Sequence, residues 1–306
     1  ASFVHLKPML AIVTNIDADH MSTYEGDIER LRSGFIEFLH NLPFYGLAIV
    51  CADDQGVLDV LGQIGRSVVT YGVDSDADIR AENIVFDRGI TTFDVLRAGR
   101  DEPLHITLRL PGLHNVRNAL ATIAVAGELQ ISDQAVIAAL EKFEGIDRRF
   151  QSLGDVRTRN GKILMVDDYG HHPTEIAATI AAARAGWPGR RIVLAFQPHR
   201  YSRTRDLMDD FAAVLSEADV LVLLEVFAAG DDPIAGADGR AIARAVRGRG
   251  SVEPVFVETL DELPATLEGL VADGDIVLTM GAGDIGAFAA DLPDLLAHGP
   301  QLKVHK

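Results

Sequence analysis

The sequence has little of several residue types on which whole functional classes depend. Its 306 residues include one cysteine, Cys51, which excludes an internal disulfide framework and any zinc site built from several thiolates. Lys and Arg number 28 against 45 Asp and Glu, a formal net charge of -17. That balance argues against nucleic acid as a partner, because such binding needs a basic footprint. No signal peptide and no membrane-length apolar run stands out, so we expect a cytoplasmic protein without membrane insertion.

Some catalytic and cofactor motifs are also missing. Gly161-Lys162 lacks both the earlier glycine and the hydroxyl residue of a P-loop, and neither a G-x-S-x-G elbow nor an H-E-x-x-H zinc helix occurs. The run GAGDIG at 281–286 matches the dinucleotide pattern G-x-G-x-x-G. It follows the last apolar run, too late for the acidic residue about 20 positions further on that holds a ribose. We therefore do not expect this run to bind NAD. We expect instead that its glycines let the backbone pass close to a ligand or to the adjacent crevice.

Length and periodicity predict two α/β domains. From about Lys162 onward, strand-like apolar runs alternate with helical ones, which is typical of βαβ units and a doubly wound parallel sheet. The first half is less regular and predicts a mixed sheet with helices. We place the boundary within 145–150, giving domains 1–147 and 148–306. The elements expected in the first half are strands at 9–15 and 46–51, short strands over 66–110, and helices near 25–40 and over 116–143.

A basic run at 197–206 inverts the sign of charge locally. It contains His199, Arg200, Arg203 and Arg205 and follows an apolar run at 191–196 that Pro198 ends. Ligands of open parallel sheets bind at the carboxyl ends of strands, so this position indicates an anionic ligand. A solvated, charged helix start is the alternative.

The segment DDYGHHPTE at 167–175 follows another predicted strand. His171 and His172 precede Pro173, which suits the first turn of a helix, and the start of a helix favours an anion. We expect this strand end to neighbour the basic run in one crevice. There Asp168 would accept hydroxyl hydrogen bonds, while His171 and the arginines would hold a carboxylate or phosphate. A simple turn is the alternative.

Two further segments carry ligand-type side chains. In NIDADHMSTY at 15–24, Asp17, Asp19 and His20 are donors of the kind that hold Mg²⁺ or Mn²⁺ beside a nucleotide, although an acidic turn that caps a helix has the same composition. In PGLHNVRNALA, Asn115 and Asn118 share one face at the start of a predicted helix, next to His114. Their amides could read an adenine edge, and Asn115 could instead be an N-cap.

Together these segments resemble the Mur ligases over nearly the whole chain. The strings that carry the resemblance stand in that family's order and spacing: TNIDADHMSTYEGDIERLRSGF, FLHNLPFYGLAIVCADD, PGLHNVRNALA, GIDRRF, DDYGHHPTEI, FQPHRYSRTRDL and PIAGAD. The resemblance implies a chain that begins inside the central, P-loop-type ATPase domain and continues into a Rossmann-like carboxy-terminal domain. The UDP-sugar domain and the P-loop would then precede it.

The resemblance also implies residue roles. Asp17 stands where the family pattern has Glu, and Arg30 and Arg32 occupy the helix that carries a carbamylated Lys in many relatives, as expected of the alanine-adding branch. The implied roles are a magnesium ligand at His20 with Asn15 nearby; adenine contacts at His114, Asn115 and Asn118; the γ-phosphate at Arg149; the ribose at Asp168; catalysis at His171, Arg200 and Arg203; and substrate binding at Tyr169, His171, His172, His199, Arg200 and Arg203.

The implied activity is ligation of L-alanine to the lactyl carboxylate of UDP-N-acetylmuramate, with ATP and Mg²⁺ (or Mn²⁺), through an acyl phosphate. Without the preceding regions we expect this chain to be inactive alone. The alternatives are a recycling ligase that joins a murein peptide to the same sugar nucleotide, and a non-catalytic nucleotide-binding module. A homodimer is a candidate assembly.

Overall fold

The computed structural model describes residues 2–17 and 21–298. The chain divides into two compact units, Ala1–Glu144 and Gly145–Lys306. Each unit has its own six-stranded mixed sheet with packed helices, so the predicted α/β class is confirmed.

The first sheet has the order β1-β2-β3-β4-β5-β6. β1 to β4 pair in parallel, and β5 and β6 are antiparallel additions at one edge. Its strands are β1 (Leu10–Val13), β2 (Leu47–Cys51), β3 (Ser67–Gly72), β4 (Ile79–Asp87), β5 (Ile90–Arg97) and β6 (Leu104–Leu108). The helices of this unit are α1 (Ile28–His40), α2 (Gln55–Leu61), α3 (Leu113–Glu128) and α4 (Asp133–Lys142).

Helices cover both faces of the first sheet. On one face, Leu120 of α3 and Leu140 of α4 pack with Ile49 of β2. On the other, Leu31 of α1 and Val57 of α2 belong to a second cluster of buried side chains. β2 is buried along its whole length, which explains why its sequence is a continuous apolar run rather than an alternating one.

The second sheet has the order β11-β10-β9-β12-β8-β7, and only β7 is antiparallel to its neighbour. Its strands are β7 (Gln151–Thr158), β8 (Gly161–Asp168), β9 (Ile192–Phe196), β10 (Val220–Leu224), β11 (Val255–Val257) and β12 (Ile276–Met280). The helices of this unit are α5 (Pro173–Gly186), α6 (Tyr201–Asp206), α7 (Met208–Leu215), α8 (Gly239–Arg249), α9 (Leu263–Leu270), α10 (Ile285–Ala289) and α11 (Leu292–His298).

One prediction about this sheet is wrong. We expected β8 and β9 to be neighbours, but β12 lies between them and pairs in parallel with both. Asp168, Met280 and Phe196 are in register at the carboxyl ends of β8, β12 and β9. The loops that follow β8 and β9 therefore still leave the same edge of the sheet, one strand apart.

The helices of the second unit also lie on both faces of their sheet. Ile176 of α5, Phe211 of α7 and Ile242 of α8 join one buried cluster. Leu263 of α9 and Leu292 of α11 join the cluster on the opposite face. In the described part of the chain, no helix combines the length and apolar character needed to cross a membrane.

Candidate functional site

Asp168 ends β8 and shapes the turn that follows. Its carboxylate accepts hydrogen bonds from the backbone N–H of Phe150 at 2.8 Å and of Gly170 at 2.7 Å, and the residue is 6% exposed. Burial raises the pKa of Asp168, although the two N–H groups act in the opposite direction. Both oxygens thus already have backbone partners, so a ribose would have to share them.

A buried ion pair that sequence reasoning missed lies beside this turn. Arg148 donates from Nε to Asp167 at 2.9 Å and from Nη2 to the carbonyl oxygen of Gly281 at 2.5 Å. Thr279 donates to the other Asp167 oxygen at 2.9 Å. Burial raises the pKa of Asp167 despite these contacts. The pair joins the ends of β8 and β12, and the only signal for it in the sequence was the doubled arginine of GIDRRF.

Tyr169 is a half-exposed ring that contacts two arginine side chains and a histidine ring. The guanidinium carbon of Arg148 lies 5.0 Å from the ring centroid and that of Arg149 lies 5.6 Å away. The His171 ring meets it edge-on at 5.3 Å. Arg149 is exposed and also pairs with Glu175 at 3.3 Å. This arrangement holds positive charge around an aromatic platform, as cation–π geometry favours.

The start of α5 is occupied by the protein itself, which corrects the expectation of a free anion site there. Glu175 accepts from the backbone N–H groups of His171 at 2.9 Å and His172 at 3.2 Å. Burial alone would raise the pKa of Glu175, but the hydrogen bond from His171 and the charges of His171 and Arg149 bring that pKa below its usual value. A substrate anion must therefore meet side chains here rather than the first N–H groups of the helix.

His199 is packed between two rings. Its ring centroid lies 5.5 Å from that of His171 and 5.6 Å from that of Phe227, on which it stacks with an interplanar angle of 16°. His199 Nδ1 is buried and has no hydrogen-bond partner among residues 2–17 and 21–298. Burial, then the nearby charges of His171, Arg203 and Arg200, lowers the pKa of His199 to about 4. The imidazole is consequently neutral at pH 7, beside cationic neighbours.

The four basic residues of the run at 197–206 do not act as one group. Arg200 has a φ of +73° and its side chain reaches Asp231 at 3.3 Å. Asp231 also accepts from the N–H and hydroxyl of Ser202, which fixes the loop after β9. Arg203 lies half-buried near the carbonyl oxygen of His199. Arg205 is exposed and pairs with the adjacent Asp206, so it fits the alternative of a solvated charge, and the Arg200 side chain, which is 48% exposed, is also partly solvated.

The glycines of GAGDIG make room for the protein's own loops. A Cβ on Gly281 would lie 2.6 Å from the carbonyl oxygen of Gln197, and one on Gly283 would lie 2.5 Å from the Gln197 side-chain oxygen and 2.7 Å from Phe227. A Cβ on Gly286 would overlap the Arg148 guanidinium. The Gln197 side chain in turn accepts from Ile285 N–H at 3.0 Å. The backbone of this turn therefore packs closely against the protein's own loops, which are those after β9 and β10 and before β7.

A cavity of about 300 Å³ opens beside this turn. It lies at the carboxyl ends of β9, β10, β11 and β12, and Phe227 contributes to its wall as well as to the stacking on His199. Its carboxylates, Glu225, Glu258 and Asp284, give the opening an acidic lining.

In the first unit, α3 presents the predicted adenine-side residues. The N-cap is Gly112, with a φ of +95°, and Asn115 lies inside the first turn, where its side chain donates to the carbonyl oxygen of Pro111 at 2.8 Å. The alternative of Asn115 as the N-cap is therefore wrong. His114 is half-buried and Asn118 is exposed.

Arg117, which sequence reasoning also missed, fixes α3. It donates from Nε to Asp53 at 2.7 Å and pairs with Asp74 at 3.2 Å. Asp53 further accepts from the backbone N–H groups of Val73, Asp74 and Ser75. Burial would raise the pKa of Asp53, but Arg117 and these N–H groups bring that pKa below its usual value.

The predicted magnesium ligand His20 and its neighbour Asp19 lie outside the described residues. Asp17 is exposed, and Asn15 donates to the hydroxyl of Thr14. The Asp54 carboxylate holds the segment that follows β1, because it accepts a hydrogen bond from the N–H of Ile16 at 3.1 Å. Over residues 2–17 and 21–298, no group of three His, Cys, Asp or Glu side chains could hold a metal ion.

Two family models match the chain. Residues 2–126 match the Mur ligase middle domain, and residues 148–283 match the Mur ligase, glutamate ligase domain. The chain belongs to the Mur ligase family. Members of this family are ATP-dependent ligases that build peptidoglycan precursors.

Solved structures are similar in fold over almost the whole chain. UDP-N-acetylmuramate-alanine ligase MurC from Thermotoga maritima shares 31% identity with a TM-score of 0.73, over 94% of this chain and 59% of that one. Murein peptide ligase mpl from Psychrobacter arcticus 273-4 shares 26% identity with a TM-score of 0.65, over 99% of this chain and 60% of that one. MurF ligase from Thermotoga maritima in complex with ADP shares the fold at 17% identity and a TM-score of 0.72, over 94% and 62%. The chain thus spans about three fifths of the length of these relatives.

Proposed function

We propose that this chain is the nucleotide- and amine-handling part of an ATP-dependent ligase that joins L-alanine to the lactyl carboxylate of UDP-N-acetylmuramate. The observation that carries the proposal is the cluster of His171, His199, Arg200 and Arg203 at one edge of the second sheet, in a chain whose net charge is -17. The similarity to MurC supports the choice of L-alanine.

In this proposal the chain's own residues supply charge neutralisation and alignment. Arg200, Arg203 and His171 hold the reacting carboxylate, and Arg149 faces the γ-phosphate. The carboxylate oxygen attacks the γ-phosphorus and ADP leaves; the amine nitrogen then attacks the acyl carbon and phosphate leaves. Such transfers depend mainly on fixed positive groups at the developing charge. Tyr169, His172 and His199 line the same loops and complete the substrate-binding surface.

The nucleotide contacts are also part of the proposal. His114, Asn115 and Asn118 are the proposed adenine contacts, and Asp168 is the proposed ribose contact. Magnesium, or manganese, neutralises phosphate charge when it is bound. The described residues offer no cluster that fits either ion, so the assignment of His20 rests on the resemblance alone, and no step above depends on it.

Phosphate release from ATP tests the proposal, with the chain measured both by itself and joined to a UDP-sugar domain and P-loop of the Mur ligase family. We expect release that requires both UDP-N-acetylmuramate and L-alanine, and a loss of at least about a hundredfold in Arg200→Ala, since a charged group at developing charge is worth about 3 kcal/mol. Arg205→Ala is the matched control, because Arg205 is exposed and pairs with the adjacent Asp206. An unchanged rate in Arg200→Ala would contradict the proposed role.

A second candidate is the recycling ligase that attaches a murein peptide to the same sugar nucleotide. The cavity of about 300 Å³ next to the His199 loop favours it, because this cavity has more room than the methyl side chain of alanine needs. The similarity to the murein peptide ligase also supports it. Comparing L-alanine with a tripeptide as acceptor in the same phosphate assay separates the two.

A binding module without turnover remains the alternative for this chain by itself. Calorimetric titration with ADP and Mg²⁺ tests it, and heat of binding without phosphate release would support it. The cytoplasmic location and the homodimer also remain proposals. Sedimentation equilibrium measures the assembly directly.

A further inference from the structure

We propose that Arg148, seated against the glycine turn at 281–286, is a positioning residue that orients Arg149 and Tyr169. The proposal rests on the function above only in taking Arg149 as the γ-phosphate contact. Its basis is the fixed geometry of Arg148 and the absence of a side chain at Gly286.

Arg148 is fixed at both its side chain and its backbone. The guanidinium binds Asp167 and the carbonyl oxygen of Gly281, and three quarters of the side chain is buried, with 25% exposed. The backbone N–H of Arg148 donates to Gln151 at 2.9 Å, and its carbonyl oxygen accepts from Tyr169 N–H at 2.7 Å. Charge-assisted bonds to a buried carboxylate are among the strongest that a side chain makes.

Fixing Arg148 sets the direction of the next two residues. Arg148 and Phe150 both have positive φ values, +60° and +46°, a conformation that costs free energy unless the surroundings hold it. Phe150 is held by its N–H bond to Asp168 and by stacking on Trp187 at 5.8 Å. With both neighbours held, the Arg149 side chain points outward, towards the Tyr169 ring and Glu175.

The absence of a Cβ at Gly286 leaves the space that the Arg148 guanidinium occupies. A methyl group there would collide with Nε, Cζ and Nη2 of Arg148, the far end of a flexible side chain, and Gly286 has no positive φ. Gly286→Ala therefore displaces the guanidinium while leaving the backbone conformation allowed. Gly269→Ala in α9 is the matched control, because a Cβ there meets nothing within 4 Å and Gly269 has no positive φ.

The first measurement compares ATP with ADP. If Arg149 contacts the γ-phosphate and Arg148 orients it, Arg148→Lys and Gly286→Ala each weaken ATP binding by about tenfold, the effect of losing one good charged contact, and leave ADP binding within about twofold. Lysine keeps the charge but loses the fork that bridges Asp167 and Gly281. Because Gly286→Ala already displaces the guanidinium, the pair Arg148→Ala with Gly286→Ala should be no worse than either change alone. A loss of fold would instead weaken both nucleotides equally.

The second measurement needs no ligand. The guanidinium carbon of Arg149 lies 5.6 Å from the centroid of the Tyr169 ring, so the NMR shift of the Arg149 Nε–H proton should respond to the orientation of Arg149 in the free chain. We expect Arg148→Lys and Gly286→Ala to move this resonance towards its solvent-exposed position, and Gly269→Ala to leave it unchanged. An unmoved Arg149 resonance in Gly286→Ala would overturn the inference. An Arg149→Ala variant with an unaltered ATP-to-ADP ratio would instead contradict the proposed function.

Discussion

Replacing Glu175 by Gln tests the finding that the protein fills the amino terminus of α5 with its own carboxylate. Glu175 accepts from the N–H groups of His171 and His172 and pairs with Arg149. Capping interactions of this kind are worth about 0.5–2 kcal/mol. The exposed pair with Arg149 adds at most about 1 kcal/mol. Glutamine keeps one acceptor oxygen, so we expect a loss of about 2 kcal/mol in the free energy of unfolding and a fall of about 4–8 °C in the melting temperature of this unit.

The pH dependence gives this prediction its sign. The folded-state pKa of Glu175 lies below its usual value, so its charge stabilises the fold above the unfolded-state pKa. That contribution disappears as the pH falls through the folded-state pKa. The difference between the native chain and Glu175→Gln should therefore be full at pH 7 and vanish in acid.

Trp187 makes the assay specific to the second unit, because it is the only tryptophan in the chain and it packs against the core beside α5. Urea unfolding followed by its fluorescence, at several pH values, measures the free energy. Glu253→Gln is the control, since Glu253 is exposed and its ion pair is with Arg247, on the surface away from α5 in sequence. Equal stability at pH 7, or a difference that does not change with pH, would refute the capping role.

Three further outcomes follow from the described contacts. An NMR titration should place the pKa of His199 near 4, and His199→Gln should flatten the fall in stability between pH 6.5 and 4, where the unfolded chain takes up a proton that folded His199 refuses. Asp53→Asn should destabilise the first unit by about 3 kcal/mol in urea unfolding, because Arg117 loses a buried charged partner, whereas Asp74→Asn at the exposed end of the same network should change little. Ile12→Lys should raise the concentration at which the chain aggregates, as seen by light scattering, because Ile12 is 45% exposed on the edge strand β1.

The fold class and the order of the main strands and helices could be predicted from the sequence, because the periodicity and length of an apolar run depend on how that segment itself is buried. The alternation of strand-like and helical runs expected from about Lys162 onward matches the strands and helices of the second unit. The position of β12 between β8 and β9 could not be read in this way, because pairing order is decided by packing between distant segments. The prediction assumed that β8 and β9, which are consecutive in the sequence, are also adjacent in the sheet.

The residues of the candidate site likewise divide into those that local sequence predicts and those that depend on distant contacts. His171, His199, Arg200 and Arg203 were found because chemistry-bearing residues that follow apolar runs are visible in a sequence. Arg148 was missed because its role depends on Asp167 and on a carbonyl oxygen more than a hundred positions away. Glu175 did carry a local signal: a glutamate three positions after an N-cap is the pattern of a capping box.

The central position of β12 has a consequence for how the protein is made. Ribosomal synthesis delivers β8 and β9 long before β12, and the Thr279–Asp167 hydrogen bond closes a loop of 112 residues. Until β12 inserts, β8 and β9 each have an unpaired edge of apolar strand, the kind of intermediate that associates with other chains. Contacts of such long sequence separation also slow folding. The second unit therefore joins the two parts of its sheet, and gains the glycine turn that contacts Arg148, in one late step. Chaperone protection during translation should matter most in the interval before residue 280 emerges.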